Sequence, residues 1–285
     1  MTAVRTALTL AALTLREASR RRVLLALAVL TVLLLSLSGW GFSRLAAETA
    51  AGGMTSGEAR LFGSMLLNLV MFGFSLIAAL GTAFLAGPTL SGETESGIAL
   101  SVLARPVRRW AVLLGKWLGL VVFGSGFVAL AGLAQCLIVL ATVDYWPPRL
   151  ATALALLAAQ TVVLLTLAVL LSTAVSPMAS GVVAVGLFGA TWVAGVVGSL
   201  GQALGNDGVA SVGSVSRMLL PTDGLWRGAM NGFQDPSLLA RLGPGFEGHP
   251  FLGVAPLTPA YLAWAAAWVA MVWGLAAASY GRKDL

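Results

Sequence analysis

Long uncharged blocks run through this chain, and they restrict its fold more than any other feature. Four of them cover residues 23–43, 61–92, 117–143 and 150–206, and a fifth separates His249 from Arg282. A bilayer offers the backbone no hydrogen-bond partners, so a segment that crosses it must be a helix of about 20 apolar residues. With 10% charged residues and a mean hydropathy of +0.92, the chain lacks the polar surface of a soluble helical bundle. We therefore predict an all-α integral membrane protein.

The blocks predict six transmembrane helices in a single transmembrane domain of residues 1–285. The block at 150–206 is long enough for two helices, and the Ser-Pro-Met-Ala-Ser-Gly sequence at 176–181 supplies the turn between them. Pro256 and Pro259 mark the start of the last helix. The predicted spans are residues 23–42, 64–86, 114–140, 150–174, 180–200 and 259–280.

The first 22 residues have the pattern of an amphipathic helix at the membrane surface. Arg5 and Arg16 lie there among Leu8, Leu10 and Leu13. A leader that is merely solvated is the alternative. The apolar stretch that follows is longer than the core of a signal peptide, and no A-x-A cleavage site comes promptly after it. We therefore expect this stretch to be the first span.

The basic residues predict the orientation. With the N-terminus inside, eleven of the 17 basic residues face the cytoplasm, and by the positive-inside rule both termini lie on the cytoplasmic side of a bacterial-type inner membrane. This inside set is Arg5, Arg16, Arg20, Arg21, Arg22, Arg105, Arg108, Arg109, Lys116, Arg282 and Lys283. The net charge of +6 thus reflects topology, and without a basic groove with interleaved aromatics we expect no nucleic-acid partner.

Residues that could build a catalytic or metal site are scarce. Cys136 is the single cysteine and lies in the third predicted span, and His249 is the single histidine. Gly115-Lys116 resembles the end of a phosphate-binding loop, but the first glycine and the following Ser or Thr are missing. We expect no catalysis, metal or cofactor in this chain.

The predicted spans contain few polar groups. They hold no mid-membrane ionisable residue, which disfavours an ion-coupled secondary transporter. The amides Asn68, Gln135 and Gln160 either line a cavity or form hydrogen bonds between helices. Glycine pairs at four-residue spacing, 115/119 and 201/205, allow close helix packing and are weak candidates for a dimer face.

The most informative segment is the predicted cytoplasmic loop at residues 90–116. Ser91 is placed to cap a short helix whose positive end suits Glu93 and Glu95, and Arg105-Pro106 ends it. Basic residues then mark the return to the membrane. Such a helix, acidic at its start and basic at its end, is suited to docking on a soluble partner. A basic loop that anchors to the membrane and binds nothing is the alternative.

This segment resembles the cytoplasmic signature of type-2 ABC exporter permeases, R-E-T-E-S-G-T-L-x-x-L-L-S-R-P-V-S-R-x-x-V-L-L-G-K. It matches at Glu93, Thr94, Glu95, Ser96, Gly97, Leu103, Arg105, Pro106, Val107, Arg109, Val112, Leu113, Leu114, Gly115 and Lys116. Its departures include Gly92, Ile98, Ala104 and Arg108. Within the family the chain is most similar to the permease of the nitrous-oxide-reductase maturation transporter and its relatives, which residues 220–228 also resemble.

The resemblance implies a homodimeric permease that works with a separate cytoplasmic ATPase carrying ATP and Mg²⁺. Residues 93–110 would be the coupling helix that seats in the ATPase. The residues implied in that contact are Glu93, Glu95, Ser96, Gly97, Arg105, Pro106, Arg108, Arg109, Gly115 and Lys116. A non-transporting membrane scaffold that uses the same loop, and less favourably a secondary transporter, are the alternative functions.

The segment at residues 201–258 is predicted to be extracytoplasmic. The run at 209–220 is mildly amphipathic, and Asp235-Pro236 suits the start of a helix at Ser237–Leu242. We expect short interfacial helices that form a partial lid. The segment is either a docking surface for an extracytoplasmic partner or a passive linker.

Overall fold

The computed structural model describes residues 3–18, 22–95, 109–235, 251 and 256–282. In those ranges the regular structure is α-helical, as predicted. In chain order the helices are α1 (Ala3–Ala18), α2 (Arg22–Ala50), α3 (Ser56–Glu95), α4 (Arg109–Val143), α5 (Leu150–Ser172), α6 (Pro177–Ala203), α7 (Asp207–Leu219), α8 (Thr222–Phe233) and α9 (Pro259–Gly281).

Six of the described helices, α2 to α6 and α9, are long and apolar enough to cross a membrane. The predicted number of spans is therefore confirmed. Large extensions beyond the predicted spans occur in α2, which continues to Ala50, and in α3, which already begins at Ser56. A capping box explains that early start: the Thr55 backbone N–H donates to the Glu58 carboxylate at 2.8 Å, and the Glu58 N–H donates to the Thr55 hydroxyl at 3.3 Å.

Helix α3 is the centre of the bundle. In its most apolar stretch, 67% of the residues are buried. The corresponding share is 11% in α2 and 22% in α9. It contacts α2, α4, α5, α6 and α8, and Leu67, Met71 and Phe74 lie on its buried face. The peripheral helix α2 turns large apolar side chains such as Leu25 and Leu37 outward. That outward apolar surface suits a lipid environment, in which such side chains need no cover.

The amphipathic helix α1 packs against the first third of α4. A Cβ at Gly115 would lie 2.6 Å from the Ala7 carbonyl oxygen, and one at Gly119 would lie 2.6 Å from the Ala11 carbonyl oxygen. Only glycine permits so close an approach. The Gly115/Gly119 pair therefore joins two helices of the same chain and is not a free face for a second copy.

Helices α7 and α8 form a hairpin whose second helix, α8, is inserted into the bundle, while α7 lies on the surface of α6 with Gly213 as its one buried residue. Helix α7 runs back along α6, with the backbones of Gly198 and Gly213 in contact. At the tip, the Thr222 hydroxyl lies 3.0 Å from that of Thr191, about three turns before α6 ends at Ala203. At 1.5 Å per residue the tip is roughly 18 Å below the end of α6.

The prediction of interfacial helices forming a lid is therefore wrong for α8. Eleven of its 12 residues are buried, and Arg227 is partly buried. We call the end of the bundle where α6 leads into α7 the hairpin end. The opposite end, where α3 ends and α4 begins, is the loop end.

At the loop end, α3 continues beyond its predicted span of 64–86 as far as Glu95. Ser91 therefore lies inside α3, and the prediction that it caps a separate helix is wrong. The remainder of the predicted coupling helix up to α4, residues 96–108, lies outside the described residues. The helix predicted at Ser237–Leu242 lies outside them as well.

Candidate functional site

The described residues of the candidate ATPase contact lie at the loop end. Glu93 and Glu95 belong to the last turn of α3, Arg109 begins α4, and Gly115 and Lys116 follow in its second and third turns. The other residues implied in this contact lie outside the described ranges: Ser96, Gly97, Arg105, Pro106 and Arg108.

The last two residues of the motif are covered by the chain itself. Gly115 lies against the backbone of α1, and Lys116 is only 7% exposed. A long charged side chain is rarely buried to this extent unless its charge is satisfied. Gly115 and Lys116 are thus part of a helix–helix contact in this conformation and not an open surface.

The helix that precedes the motif is packed against α6. A Cβ at Gly87 would clash with the Pro177 carbonyl oxygen in the first turn of α6. A Cβ at Gly181 would lie 3.2 Å from the Phe84 ring. The two helices that flank the motif, α3 and α4, are therefore in direct contact with α6 and α1, respectively.

The three amides predicted either to line a cavity or to join helices are buried, and each joins two parts of the bundle. The hydrogen bonds are Gln135 Nε2 to Ser38 Oγ (2.6 Å), Ser75 Oγ to Gln160 Oε1 (2.8 Å) and Asn68 Nδ2 to the Phe251 carbonyl (2.9 Å). They connect α4 with α2, α3 with α5, and α3 with the segment before α9. Gln135 and Gln160 thus form hydrogen bonds between helices, and Asn68 binds a non-helical segment.

A buried carboxylate lies between two guanidinium groups at the hairpin. Asp223, in the first turn of α8, has a side chain that is 1% exposed. Its Oδ2 accepts hydrogen bonds from Arg217 Nε at 3.1 Å and from Arg227 Nε at 2.9 Å. Arg227 Nη2 also donates to the Gly195 carbonyl of α6 at 2.8 Å. The cluster carries a net charge of +1 and fixes α8 to both α6 and α7.

This charged cluster was not predicted, because it enters the bundle with the hairpin and not with a span. Ionisable groups inside a membrane bundle are costly unless paired, and they commonly mark functional positions. A Cβ at Gly195 would clash with the Asp223 carboxylate, so the carboxylate lies directly against the backbone of α6. The predicted spans lack such groups at mid-membrane positions, but the bundle as a whole does not.

A glycine repeat in α8 is the sequence signal that reveals its burial. Gly224, Gly228 and Gly232 recur every four residues and share one helix face. Side chains at these positions would collide with Tyr261, with Leu257 and with Ala153, in that order. The repeat therefore lets α8 approach α5 and the start of α9 closely.

The outer end of α8 is held by polar side chains from the connection between α4 and α5. The Tyr145 hydroxyl donates to the Phe233 carbonyl at 2.7 Å, and Arg149 Nη2 donates to Asn231 Oδ1 at 2.9 Å. Burial raises the pKa of Tyr145 far above its ordinary value, which keeps the phenol protonated as a donor. Both ends of α8 are thus anchored.

No protein-family model matches the chain, and no curated protein matches it. The family resemblance therefore rests on sequence motifs, chiefly on residues 90–116. The position of that motif in the bundle is the structural observation that bears on its function.

Proposed function

We propose that this chain is the membrane-spanning permease subunit of a type-2 ABC exporter. Two copies form the permease, and a separate ATPase that binds ATP and Mg²⁺ docks on the loop between α3 and α4. The proposal rests on residues 90–116, which match the family signature at fifteen positions. The excess of basic residues at this end favours a cytoplasmic location for the loop in a bacterial inner membrane.

The packing around the motif supports a coupling role. The loop joins α3, which lies against α6, to α4, which lies against α1. A displacement of the loop would therefore reach four helices through direct contact. Transport requires that the two conformational states bind substrate differently, so such a connection between the docking site and the spans is needed.

The ionisable groups of the bundle also agree with an external source of energy. An ion-coupled transporter needs a membrane-embedded group that exchanges its ion or proton. Asp223 is held by two guanidinium groups and acts as a structural ion pair. Lys116 lies near the loop end of α4. These positions favour ATP hydrolysis in a partner subunit over secondary transport.

The test is purification of the tagged full-length chain from detergent-solubilised native membranes, with mass spectrometry and an ATP hydrolysis assay on the eluate. We expect a stoichiometric ATPase. The double substitution Glu93→Lys and Glu95→Lys should lower its amount at least about tenfold, because two reversed charges oppose docking. Asp144→Lys reverses one carboxylate at the hairpin end, which is half of that charge change, and should have no effect.

Two results would count against the proposal. A chain that purifies without any ATPase would favour the membrane scaffold. An ATPase that remains bound to the double variant at wild-type levels would show that this loop is not its docking site.

A further inference from the structure

A cavity of about 630 Å³ lies between α2 and α3 at the hairpin end. Apolar side chains form its wall, among them Leu45, Phe62, Met65 and Leu69. Two charged side chains of α2, Arg44 and Glu48, complete the lining. The cavity is thus apolar inside with charges of both signs on one side.

The surroundings of the cavity place it beside the lipid at the depth of the headgroups. Phe62 and Leu69 are 50% and 48% exposed, so its α3 wall continues into the apolar outer surface of the bundle. Trp40, one turn before Arg44, is 60% exposed. Exposed tryptophans of membrane proteins concentrate at the interface between acyl chains and headgroups. The guanidinium of Arg44 lies 5.6 Å from the centre of the Trp40 ring, hence close to that level.

The order of groups along α2 matches the order of groups along a zwitterionic lipid. From the apolar wall toward the end of α2 come Trp40, then Arg44, then Glu48, one helical turn apart, about 6 Å each. Among the described residues, neither Arg44 nor Glu48 forms a salt bridge. A phospholipid with a primary amine presents an acyl chain, then a phosphate, then an ammonium group.

We propose that this cavity binds a phospholipid whose headgroup carries a phosphodiester and a primary ammonium. One acyl chain occupies the apolar interior, the phosphate accepts hydrogen bonds from Arg44, and the ammonium donates to Glu48. An anionic lipid without the amine would meet Glu48 with like charge, and a choline headgroup offers no N–H donor. The inference does not depend on the exporter proposal, since it concerns a lipid site on the outer face of α2 and α3.

Native mass spectrometry of the purified, delipidated full-length chain tests this site. Phosphatidylethanolamine, phosphatidylglycerol and phosphatidylcholine with identical acyl chains are added in equal amounts, and the bound lipids are counted. We expect the wild-type chain to retain phosphatidylethanolamine about fivefold over each of the others, the effect of about 1 kcal/mol of charge interaction at a partly exposed site.

The variants separate the parts of the site. Arg44→Gln should reduce phosphatidylethanolamine retention about fivefold, and Glu48→Gln should abolish the preference over phosphatidylcholine. Leu69→Trp should fill the cavity and displace every lipid, while Arg60→Gln, a partly exposed arginine at the same end, is the matched control. Size-exclusion profiles show whether each variant is folded.

Equal retention of the three lipids by the wild-type chain would overturn the proposal. So would folded Arg44→Gln and Glu48→Gln variants with wild-type lipid preference, or a wild-type chain that retains none of these lipids.

Discussion

Among the described contacts, those that stand out at the two ends of the bundle differ in kind. At the hairpin end, directional polar contacts converge on α8, with the Asp223 carboxylate at one end and the Tyr145 hydroxyl at the other. At the loop end, α1 rests on α4 and α3 rests on α6 through close backbone approach at Gly119 and Gly87. Hydrogen bonds weaken steeply with angle and distance. Dispersion contacts between smooth helix faces are individually small and less directional.

This difference indicates which end resists displacement. The hairpin is fixed in one register by ion pairs and hydrogen bonds that would all break if it slid. The glycine contacts at the loop end set how closely the helices approach, but they specify the register less strongly. A motion that begins at the motif would therefore reach α1 and α6 before it disturbs α8.

Loss of the buried carboxylate should have the largest effect on stability. Asp223→Ala leaves Arg217 and Arg227 without their shared partner, and breaking a buried ion pair costs about 3–5 kcal/mol. The free energy of unfolding, measured by denaturing-detergent titration in mixed micelles, should fall by that amount. Adding Arg227→Ala should cost less than the sum of the single changes, because the removed groups interact. A loss below about 1 kcal/mol for Asp223→Ala would show that the cluster does not fix the hairpin.

A large side chain at Gly119, where α4 contacts α1, should have an intermediate effect on stability. Gly119→Leu forces a side chain against the Ala11 carbonyl, and overpacking of this kind costs about 1–3 kcal/mol. Amide hydrogen exchange in α1 should accelerate as the helix is displaced. Gly126→Leu is the matched control, since a Cβ at Gly126 has no neighbour within 4 Å. If the two substitutions changed amide exchange in α1 equally, the close contact at Gly119 would not be what holds α1 on α4.

Removal of one hydrogen bond at the outer end of α8 should have a smaller effect. Tyr145→Phe deletes the donor to the Phe233 carbonyl and retains the ring, so we expect a loss of about 1 kcal/mol. The same detergent titration measures it. An unchanged stability would mean that water or another group replaces the phenol.

The exposed ion pair at the hairpin end should contribute least. Arg60 and Asp144 lie 2.7 Å apart, but their side chains are 45% and 82% exposed. Pairs so accessible to water contribute less than about 1 kcal/mol. Asp144→Ala should therefore leave the unfolding midpoint nearly unchanged. A loss of stability as large as that of Asp223→Ala would show that burial does not determine how much an ion pair contributes in this protein.

The sequence predicted the six spans and the amphipathic α1, because apolar blocks of this length and a basic leader are strong local signals. The start of α3 was also encoded locally, since Thr55 and Glu58 have the spacing of a capping box. The prediction missed it because it followed hydropathy alone. The roles of Gln135 and Gln160 remained open, as a single sequence does not specify which helix faces an amide.

The burial of α8 was harder to predict. Residues 207–233 contain Asp223, Arg217 and Arg227, and such charges favour a place in water when only local sequence is considered. Their burial depends on mutual pairing and on the Gly195 carbonyl, which are contacts between distant segments. The Gly224, Gly228 and Gly232 repeat was a usable signal that the prediction did not take into account.

The measurement that tests the central claim most directly is hydrogen exchange of the chain with and without the ATPase proposed as its partner, and with and without a non-hydrolysable ATP analogue. If ATP binding to the ATPase displaces the loop end, the analogue should change amide hydrogen exchange most in α1, in the last turns of α3 and in the first turns of α4. The amides of α8 should change less. Exchange at the loop end that is unaffected by both the ATPase and the nucleotide would contradict the account.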